Sequence, residues 1–135
     1  MKIGLLARDS RGATIVEFAI VAPILLLFIF GIIEAARALW TWQVAQETAY
    51  ATARCVAIGD PQCADDARAK QFGIAHARNS GIRLSTLGLT IEKGVRCDGI
   101  DAMDKVSLSF PYATVIPGLP RSVATFACMP TVSNS

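Results

Sequence analysis

Residues 8–40 have the sequence RDSRGATIVEFAIVAPILLLFIFGIIEAARALW, which contains a long apolar segment. No side chain is charged in residues 18–33, and the apolar character extends back to residue 13 apart from Thr14 and Glu17. In a helix that rises about 1.5 Å per residue, residues 13–33 cover roughly 30 Å, the thickness of the hydrocarbon core of a bilayer. The segment therefore predicts one transmembrane helix. Glu17 needs an explanation, because a carboxylate at the centre of such a helix costs roughly 2.5–3.5 kcal/mol, although less near an end.

The residues on either side of this segment predict its orientation. Lys2, Arg8 and Arg11 precede it, and the positive-inside rule then places the N-terminus in the cytoplasm. Trp40 and Trp42 follow it, where an aromatic belt would meet the outer membrane–water interface. The rest of the chain would then lie outside the cytoplasm.

Two other interpretations of the segment stay open. One is a cleaved signal peptide, because Ala36-Arg37-Ala38 fits the small-x-small pattern of a cleavage site. The segment is longer than the roughly 7–15 residues of a usual signal core, and Glu17 inside it also argues against this interpretation. The other is a plain single-pass anchor that is never processed.

The composition and the cysteines agree with a small domain outside the cytoplasm. The chain has 135 residues, of which 53% are hydrophobic, and a mean hydropathy of +0.44, which suits one small domain plus an anchor. A net charge of +2, without a basic stripe, does not support nucleic-acid binding. All four cysteines follow the apolar segment. An even number there predicts two disulfides in an oxidising compartment, the alternative being buried free thiols in a cytosolic protein.

A helical pattern continues beyond the apolar segment. No Gly or Pro interrupts residues 32–57, and Gly59-Asp60-Pro61 is a stop signal. One stripe of mostly small apolar residues recurs at spacings of three and four, namely Trp42, Ala45, Ala49, Ala53 and Val56. A second, shorter helix is predicted from Cys63 to Arg78, with Asp65 and Asp66 in its first turn.

The pattern then changes to period two, which is typical of strands. Three alternating apolar sets follow in order: Leu87, Leu89 and Ile91; Val106, Leu108 and Phe110; Ala124, Phe126 and Cys128. Asp98-Gly99 and residues 117–120 supply turns between them. We therefore predict an α+β fold, in which a long N-terminal transmembrane helix continues outside the membrane and is followed by a short helix and an antiparallel sheet of about three strands. The extracytoplasmic domain would cover residues 34–130, and residues 131–135 would form a flexible tail.

The positions of the cysteines favour one of the three possible pairings. Cys55 and Cys63 flank the Gly59-Asp60-Pro61 turn, so a bridge there would join the end of the long helix to the start of the second helix. Cys97 and Cys128 fall at the ends of strands, and their bridge would hold the last strand of the sheet. We expect these two pairs.

The sequence contains no pattern that predicts an enzyme. The single histidine, His76, lies in the second helix without a Cys or Ser partner at a motif spacing, which indicates a surface or half-buried position. The pair Asp65-Asp66 and the triplet Asp98, Asp101 and Asp104 could suggest a cation site. The triplet lacks the spacing of a known calcium loop, and acidic turn residues are usually solvated. No phosphate-binding loop or nucleophile elbow occurs. We expect no catalytic residue, no metal, no cofactor and no small-molecule substrate.

The stretch Gly12-Ala13-Thr14-Ile15-Val16-Glu17-Phe18, followed by an apolar helix, resembles the processing site of type IV prepilins, and especially that of the tight-adherence (Flp) pilus system. The resemblance implies that a prepilin peptidase cuts between Gly12 and Ala13, which would make residues 1–12 a cytoplasmic leader. It also implies that Glu17 becomes the fifth residue of the mature chain.

A wider set of residues is similar to one family within that system. Arg11-Gly12, Val16-Glu17-Phe18-Ala19, Pro23, Gly31-Ile32-Ile33-Glu34 and Arg37-Ala38-Leu39 look like the TadE-like minor pseudopilins. The similarity covers roughly residues 8–55, and the closely related TadF-like proteins fit equally. The Flp major pilin is much shorter and TadG-type proteins are much longer.

The resemblance implies a minor pseudopilin in the bacterial inner membrane, with its C-terminal domain in the periplasm and a possible place in the pilus. Its partners would be a prepilin peptidase, other pilins and pseudopilins, platform proteins of the inner membrane and the lipid bilayer. Cleavage would create an α-amino group at Ala13, four residues before Glu17, and that cation would offset the desolvation of the carboxylate. Phe18 would belong to the recognition motif, and Pro23 would loosen the helix by removing one hydrogen bond. The alternatives are that Glu17 only reaches the cytoplasmic headgroups, and that the chain is an unprocessed periplasmic scaffold or binding protein on a membrane anchor.

Overall fold

The computed structural model describes residues 10–85 and 88–132, without the side chains of residues 10, 11 and 13. Its elements, in chain order, are α1 (Ser10–Ala57), a 3₁₀ turn (Pro61–Cys63), α2 (Asp66–Asn79), β1 (Leu89–Cys97), β2 (Ile100–Pro111) and β3 (Ser122–Pro130). The predicted α+β fold is confirmed. Most of the predicted leader, the first apolar residue of the predicted sheet (Leu87) and the end of the predicted tail lie outside the described residues.

The chain divides into two compact units, Met1–Ala36 and Arg37–Ser135. In the first unit every described residue is helical. The described part of the chain contains one helix, Thr14–Ala57, that is long and apolar enough to cross a membrane, and none of its most apolar window is buried. Its length and composition suggest membrane anchoring.

Helix α1 ends where the sequence predicts, and its end has a defined hydrogen-bond pattern. Gly59 adopts a φ of 69°, which a residue with a side chain rarely does. The N–H of Gly59 donates to the Val56 carbonyl at 3.1 Å, and the N–H of Asp60 donates to the Cys55 carbonyl at 3.2 Å. This pair of bonds is a Schellman motif, which satisfies carbonyl groups that the helix itself leaves without partners.

The second helix begins three residues later than predicted. Cys63 belongs to the 3₁₀ turn, and Asp65 is the N-cap of α2, where its carboxylate accepts the backbone N–H of Arg68 at 2.8 Å. Asp60 caps the preceding turn in the same way, by accepting the N–H of Gln62. The prediction was wrong because two short capped segments follow each other, and a pattern of apolar spacing does not separate them.

The three strands form an antiparallel sheet in the order β1-β2-β3. The predicted Asp98-Gly99 turn joins β1 to β2, and both residues have positive φ, 49° and 84°, which is the requirement of a type I′ hairpin turn. The pairing of β1 with β2 shifts register between Glu92 and Val95, next to Gly94 with its φ of 64°. Such a bulge bends the strand and increases its twist.

The core of the second unit lies between α1 and one face of the sheet. Ala49 and Ala53 of α1 pack with Leu89, Val106 and Leu108. In this cluster the helix contributes small side chains and the sheet contributes large ones. The helix backbone can therefore lie close to the sheet. The predicted stripe holds for Ala45, Ala49, Ala53 and Val56, which are all buried, but Trp42 is exposed.

Two threonines that the apolar pattern missed complete the buried face of α1. Thr48 and Thr52 are fully buried, and the Thr52 hydroxyl donates to the Thr48 carbonyl one turn earlier at 2.8 Å. Gly73 of α2 lies so close that an added Cβ would come within 2.8 Å of the Thr52 hydroxyl oxygen and 2.7 Å of a Leu89 methyl. A glycine at this position therefore lets α2 approach both α1 and the sheet.

Strand β3 is present, but the face that the apolar pattern indicated is not the buried one. Phe126 is 53% exposed, whereas Val123 and Thr125 are buried. The register explains the difference, because Val123 pairs with Phe110 and Thr125 with Leu108, and directly paired residues lie on the same face of a sheet.

The predicted tail is also tied down further than expected. The backbone N–H of Thr131 donates to the Ala102 carbonyl at 3.1 Å, and that of Val132 donates to the Ala57 carbonyl at 3.2 Å. Thr131 is therefore bonded to β2 and Val132 to the end of α1. The side-chain pattern gives no sign of these bonds, because backbone groups donate and accept them.

Candidate functional site

The residues of the expected cleavage site lie in the first turn of α1. Gly12 is the third residue of the helix, and Ala13 follows it. The first four N–H groups of a helix have no carbonyl partner within the helix, and glycine is a poor helix former. This turn is therefore held by fewer hydrogen bonds than the interior of the helix. Nothing lies within 4 Å of a Cβ built on Gly12, so a side chain at this position does not clash with the described structure.

Glu17 lies four residues after Ala13 in the same unbroken helix, and its side chain is exposed. Residues four apart lie one above the other on one face of a helix. The Glu17 carboxylate is therefore positioned one turn from the backbone nitrogen of Ala13. That nitrogen is an amide in the intact chain, and hydrolysis of the bond before it would turn it into an amine.

The helix around these residues presents large apolar side chains on every side. Phe18 is exposed, as are the apolar residues Ile15, Val16, Ile20, Val21, Ile24, Leu25, Leu26, Leu27, Phe28, Ile29, Phe30, Ile32 and Ile33. A helix that is apolar all round belongs in lipid or among other helices. Pro23 lies inside α1, which runs on to Ala57. Proline has no N–H to donate, so one hydrogen bond of the helix is missing there.

The four cysteines form two disulfides in the second unit. Cys55 is bonded to Cys63 with the Cα atoms 5.9 Å apart, and Cys97 is bonded to Cys128 with the Cα atoms 6.5 Å apart. These are the pairs expected from the sequence. The first links α1 to the 3₁₀ turn after it, and the second links the end of β1 to β3 across the hairpin.

The burial of Asp104 was not expected from the sequence. We expected a solvated turn residue, but Asp104 is in β2 and only 2% exposed. Its Oδ1 accepts the backbone N–H of Gly94 at 3.2 Å, and the Thr131 hydroxyl lies 3.2 Å from the same oxygen. That hydroxyl is also 3.0 Å from the Ala102 carbonyl, and either oxygen can accept its one proton. Asp104 thus joins the bulge of β1 to the segment after β3.

A signal for Asp104 was present in the sequence. Asp104, Val106, Leu108 and Phe110 alternate, so the carboxylate falls on the face that the apolar residues bury. The regular spacing of Asp98, Asp101 and Asp104 instead suggested that all three are turn residues.

The described residues bring no reactive cluster together. Among residues 10–85 and 88–132, no three His, Cys, Asp or Glu side chains are grouped so that they could hold a metal ion. His76 is half-buried in α2, and its ring stacks on that of Phe72 with 6.3 Å between the ring centroids. The features that remain to be explained are the motif at the start of α1 and the exposed apolar helix that follows it.

Comparison with known protein families matches this same region. The model of the TadE-like protein family matches residues 12–54, which begin at Gly12 and end within the buried part of α1. Over this segment the chain is similar to the TadE-like family. The match covers the helix and not the sheet. No curated protein and no solved structure matches the chain significantly.

Proposed function

We propose that the chain is a minor pseudopilin of a Tad-type (Flp) pilus, processed by a prepilin peptidase between Gly12 and Ala13. The observation that carries the proposal is the TadE-like match over residues 12–54, because it starts at the expected cleavage site and contains Glu17. The protein would be anchored once in the bacterial inner membrane, with residues 1–12 in the cytoplasm and the domain of residues 34–130 in the periplasm. Its role would be structural, without catalysis.

The geometry of α1 supports an assembly role for Glu17. After cleavage, the new amine of Ala13 and the Glu17 carboxylate would lie one helical turn apart. Pairing of the two, within one chain or between neighbouring chains, would offset the cost of holding a carboxylate at the edge of the apolar segment. Where the pair forms between neighbouring chains, it would also set the register of their helices. Phe18 and the other exposed apolar side chains would then pack against lipid or against neighbouring pilins and platform proteins.

Processing requires a local change of conformation. A peptidase hydrolyses an extended backbone, whereas Gly12 and Ala13 are helical in the intact chain. The first turn of α1 would therefore unwind in the enzyme. Gly12 would make this step easier, since glycine adopts extended conformations without a side-chain clash.

The helical state of this bond also supports a second candidate. A chain whose first turn stays helical would remain uncut, and it would act as a periplasmic scaffold or binding protein on a single membrane anchor. In that case Glu17 would only extend to the cytoplasmic headgroups.

The mass of the mature protein tests the two candidates against each other. In cells that carry the pilus machinery, we expect mass spectrometry to find a chain that begins at Ala13. Gly12→Lys should leave the chain at full length, because a long side chain would block the peptidase while the described structure has room for it. Ser10→Lys is the matched control, since it adds the same charge two residues earlier and should still be processed. A wild-type chain that keeps residues 1–12 would favour the scaffold, and a chain that begins at Leu39 would indicate a signal peptide.

A further inference from the structure

The connection between β2 and β3 is unusually apolar for a surface loop. The loop of residues 112–120, YATVIPGLP, contains no charged residue, and Arg121 follows it. Val115 at its tip is 87% exposed, which is more than any other large hydrophobic residue of the described chain. Most surface loops are polar, because their side chains face water. An exposed apolar tip therefore indicates a contact that the isolated chain does not make.

The loop is ordered by its own hydrogen bonds. The N–H of Tyr112 donates to the Arg121 carbonyl at 2.8 Å and closes the base of the loop. The N–H of Ile116 donates to the Thr114 hydroxyl at 3.1 Å, two residues earlier, and fixes the tip. Val115 is thus held in an exposed position by its neighbours.

The loop also lies beside a defined part of α1 within the second unit. Leu119 and Pro120 line an apolar cavity of about 150 Å³ together with Leu39 and Trp42. Leu39, Trp40 and Trp42 are exposed. Leu39 and Trp42 of α1 and Leu119 and Pro120 of the loop therefore form one apolar surface, which we call the apolar patch.

The helical residues of the apolar patch follow the proposed membrane anchor closely in the sequence. Leu39 comes six residues and Trp42 nine residues after Ile33, the end of the apolar segment. Trp40 and Trp42 are of the residue type that is enriched at membrane–water interfaces.

We propose that the apolar patch rests in the outer headgroup layer of the same membrane that holds the anchor, with Val115 inserted. This inference depends on the membrane anchoring of the proposed function. The occupant is phospholipid, because the helical residues of the patch follow the anchor within nine residues of sequence and include a tryptophan, the residue type enriched at membrane–water interfaces. Two contacts, helix and loop, would then orient the domain on the membrane, where a single helix would leave it free to tilt.

A spin label at the loop tip tests the proposal directly. The full chain carrying Val115→Cys is purified without reductant, labelled with a nitroxide and reconstituted into phosphatidylethanolamine–phosphatidylglycerol vesicles. Val115 is exposed, so the substitution leaves the fold intact. Ile100→Cys is the matched control, because Ile100 is also an exposed β-branched residue but follows the Asp98-Gly99 hairpin turn, next to Asp101. Relaxation of each label is measured with oxygen, which concentrates in lipid, and with a water-soluble nickel chelate.

The outcomes separate this inference from the proposed function. At Val115→Cys we expect oxygen to relax the label several-fold more strongly than the nickel chelate does. At Ile100→Cys we expect the nickel chelate to have the stronger effect. If the chain floats with the vesicles but both labels favour nickel, the loop lies in water and only this inference is wrong. Protection of the Val115→Cys label from both reagents would instead indicate a protein contact and overturn it. A chain that does not float with the vesicles would remove the anchor and the inference together.

Discussion

The two halves of helix α1 use apolar residues in opposite ways. Residues 14–33 consist mostly of Leu, Ile and Phe, and these side chains are exposed. Residues 44–57 contain mostly Ala, Thr and Val, and Ala49 and Ala53 are completely buried. The more hydrophobic half is thus the half without a core.

This contrast shows that burial depends on the partner and not on hydrophobicity alone. Small residues in the second half leave room for the sheet, which supplies the large side chains of the core, Leu89, Val106 and Leu108. Large residues in the first half find no such partner among residues 10–85 and 88–132, so we expect lipid or other helices to cover them. The first half would therefore determine assembly, and the second half would determine the stability of the domain. The following predictions test whether the two halves have these separate roles.

The largest effect is expected at Glu17, in the exposed half. Glu17→Gln keeps the size of the side chain and removes its charge, so insertion and cleavage should continue while the Ala13 amine loses its partner. We expect processed protein in the membrane and few or no pili by electron microscopy. Glu17→Asp, which keeps the charge on a shorter side chain, is the control and should retain part of the assembly. Normal pili from fully processed Glu17→Gln protein would show that the carboxylate only reaches the headgroups.

The next largest effect is expected from removal of the two disulfides, which should lower the stability of the domain. Loss of the Cys97–Cys128 bridge, which closes a separation of 31 residues, should destabilise the domain by about 3–4 kcal/mol in the chain-entropy model. Loss of the Cys55–Cys63 bridge, with a separation of 8, should cost about 2–3 kcal/mol. Thermal unfolding of the paired Cys→Ala variants in detergent measures both. The opposite order would mean that native-state contacts, and not loop closure, dominate, and non-reducing peptide mapping checks the pairing itself.

The smallest effects compare one substitution in each half of α1. Ala53→Leu adds carbon atoms to a fully buried position and should destabilise the domain by about 1–3 kcal/mol. Leu27→Ala removes carbon atoms from an exposed position and should change the unfolding of the domain by less than about 0.5 kcal/mol. Both are measured by thermal unfolding in detergent, where about 1 kcal/mol corresponds to roughly 4–8 °C for a domain of this size. A large effect of Leu27→Ala would show that the first half also supports the domain.

The sequence was sufficient where a local rule determines the structure. The end of α1 at Gly59 and the hairpin at Asp98-Gly99 were predictable, because each needs a positive φ that glycine or Asp-Gly supplies. The α+β order followed from the change of apolar period after the second helix. The motif from Gly12 to Phe18 was recognisable because its residues are contiguous, and the family match covers the same positions.

The sequence was not sufficient where contacts between distant residues determine which side chains are buried. Which face of β3 is buried depends on its register with β2, and Thr125 is a polar residue on the buried face while Phe126 is exposed. Asp104 is buried because Gly94 and Thr131, which are far from it in sequence, bring donors to its carboxylate. The apolar cavity beside Leu39 likewise depends on a loop some 80 residues later in the chain.

The second disulfide has a mechanical consequence for a protein that would work under tension. All of β2, the central strand, lies between Cys97 and Cys128. A force applied to the two ends of the chain would pass through the sulfur–sulfur bond and would bypass that strand. At about 3.6 Å per extended residue, the 31-residue separation holds back roughly 110 Å of slack that a reduced chain would release. The bridge would thus keep that length of chain from extending, although residues 64–96 could still unfold and extend.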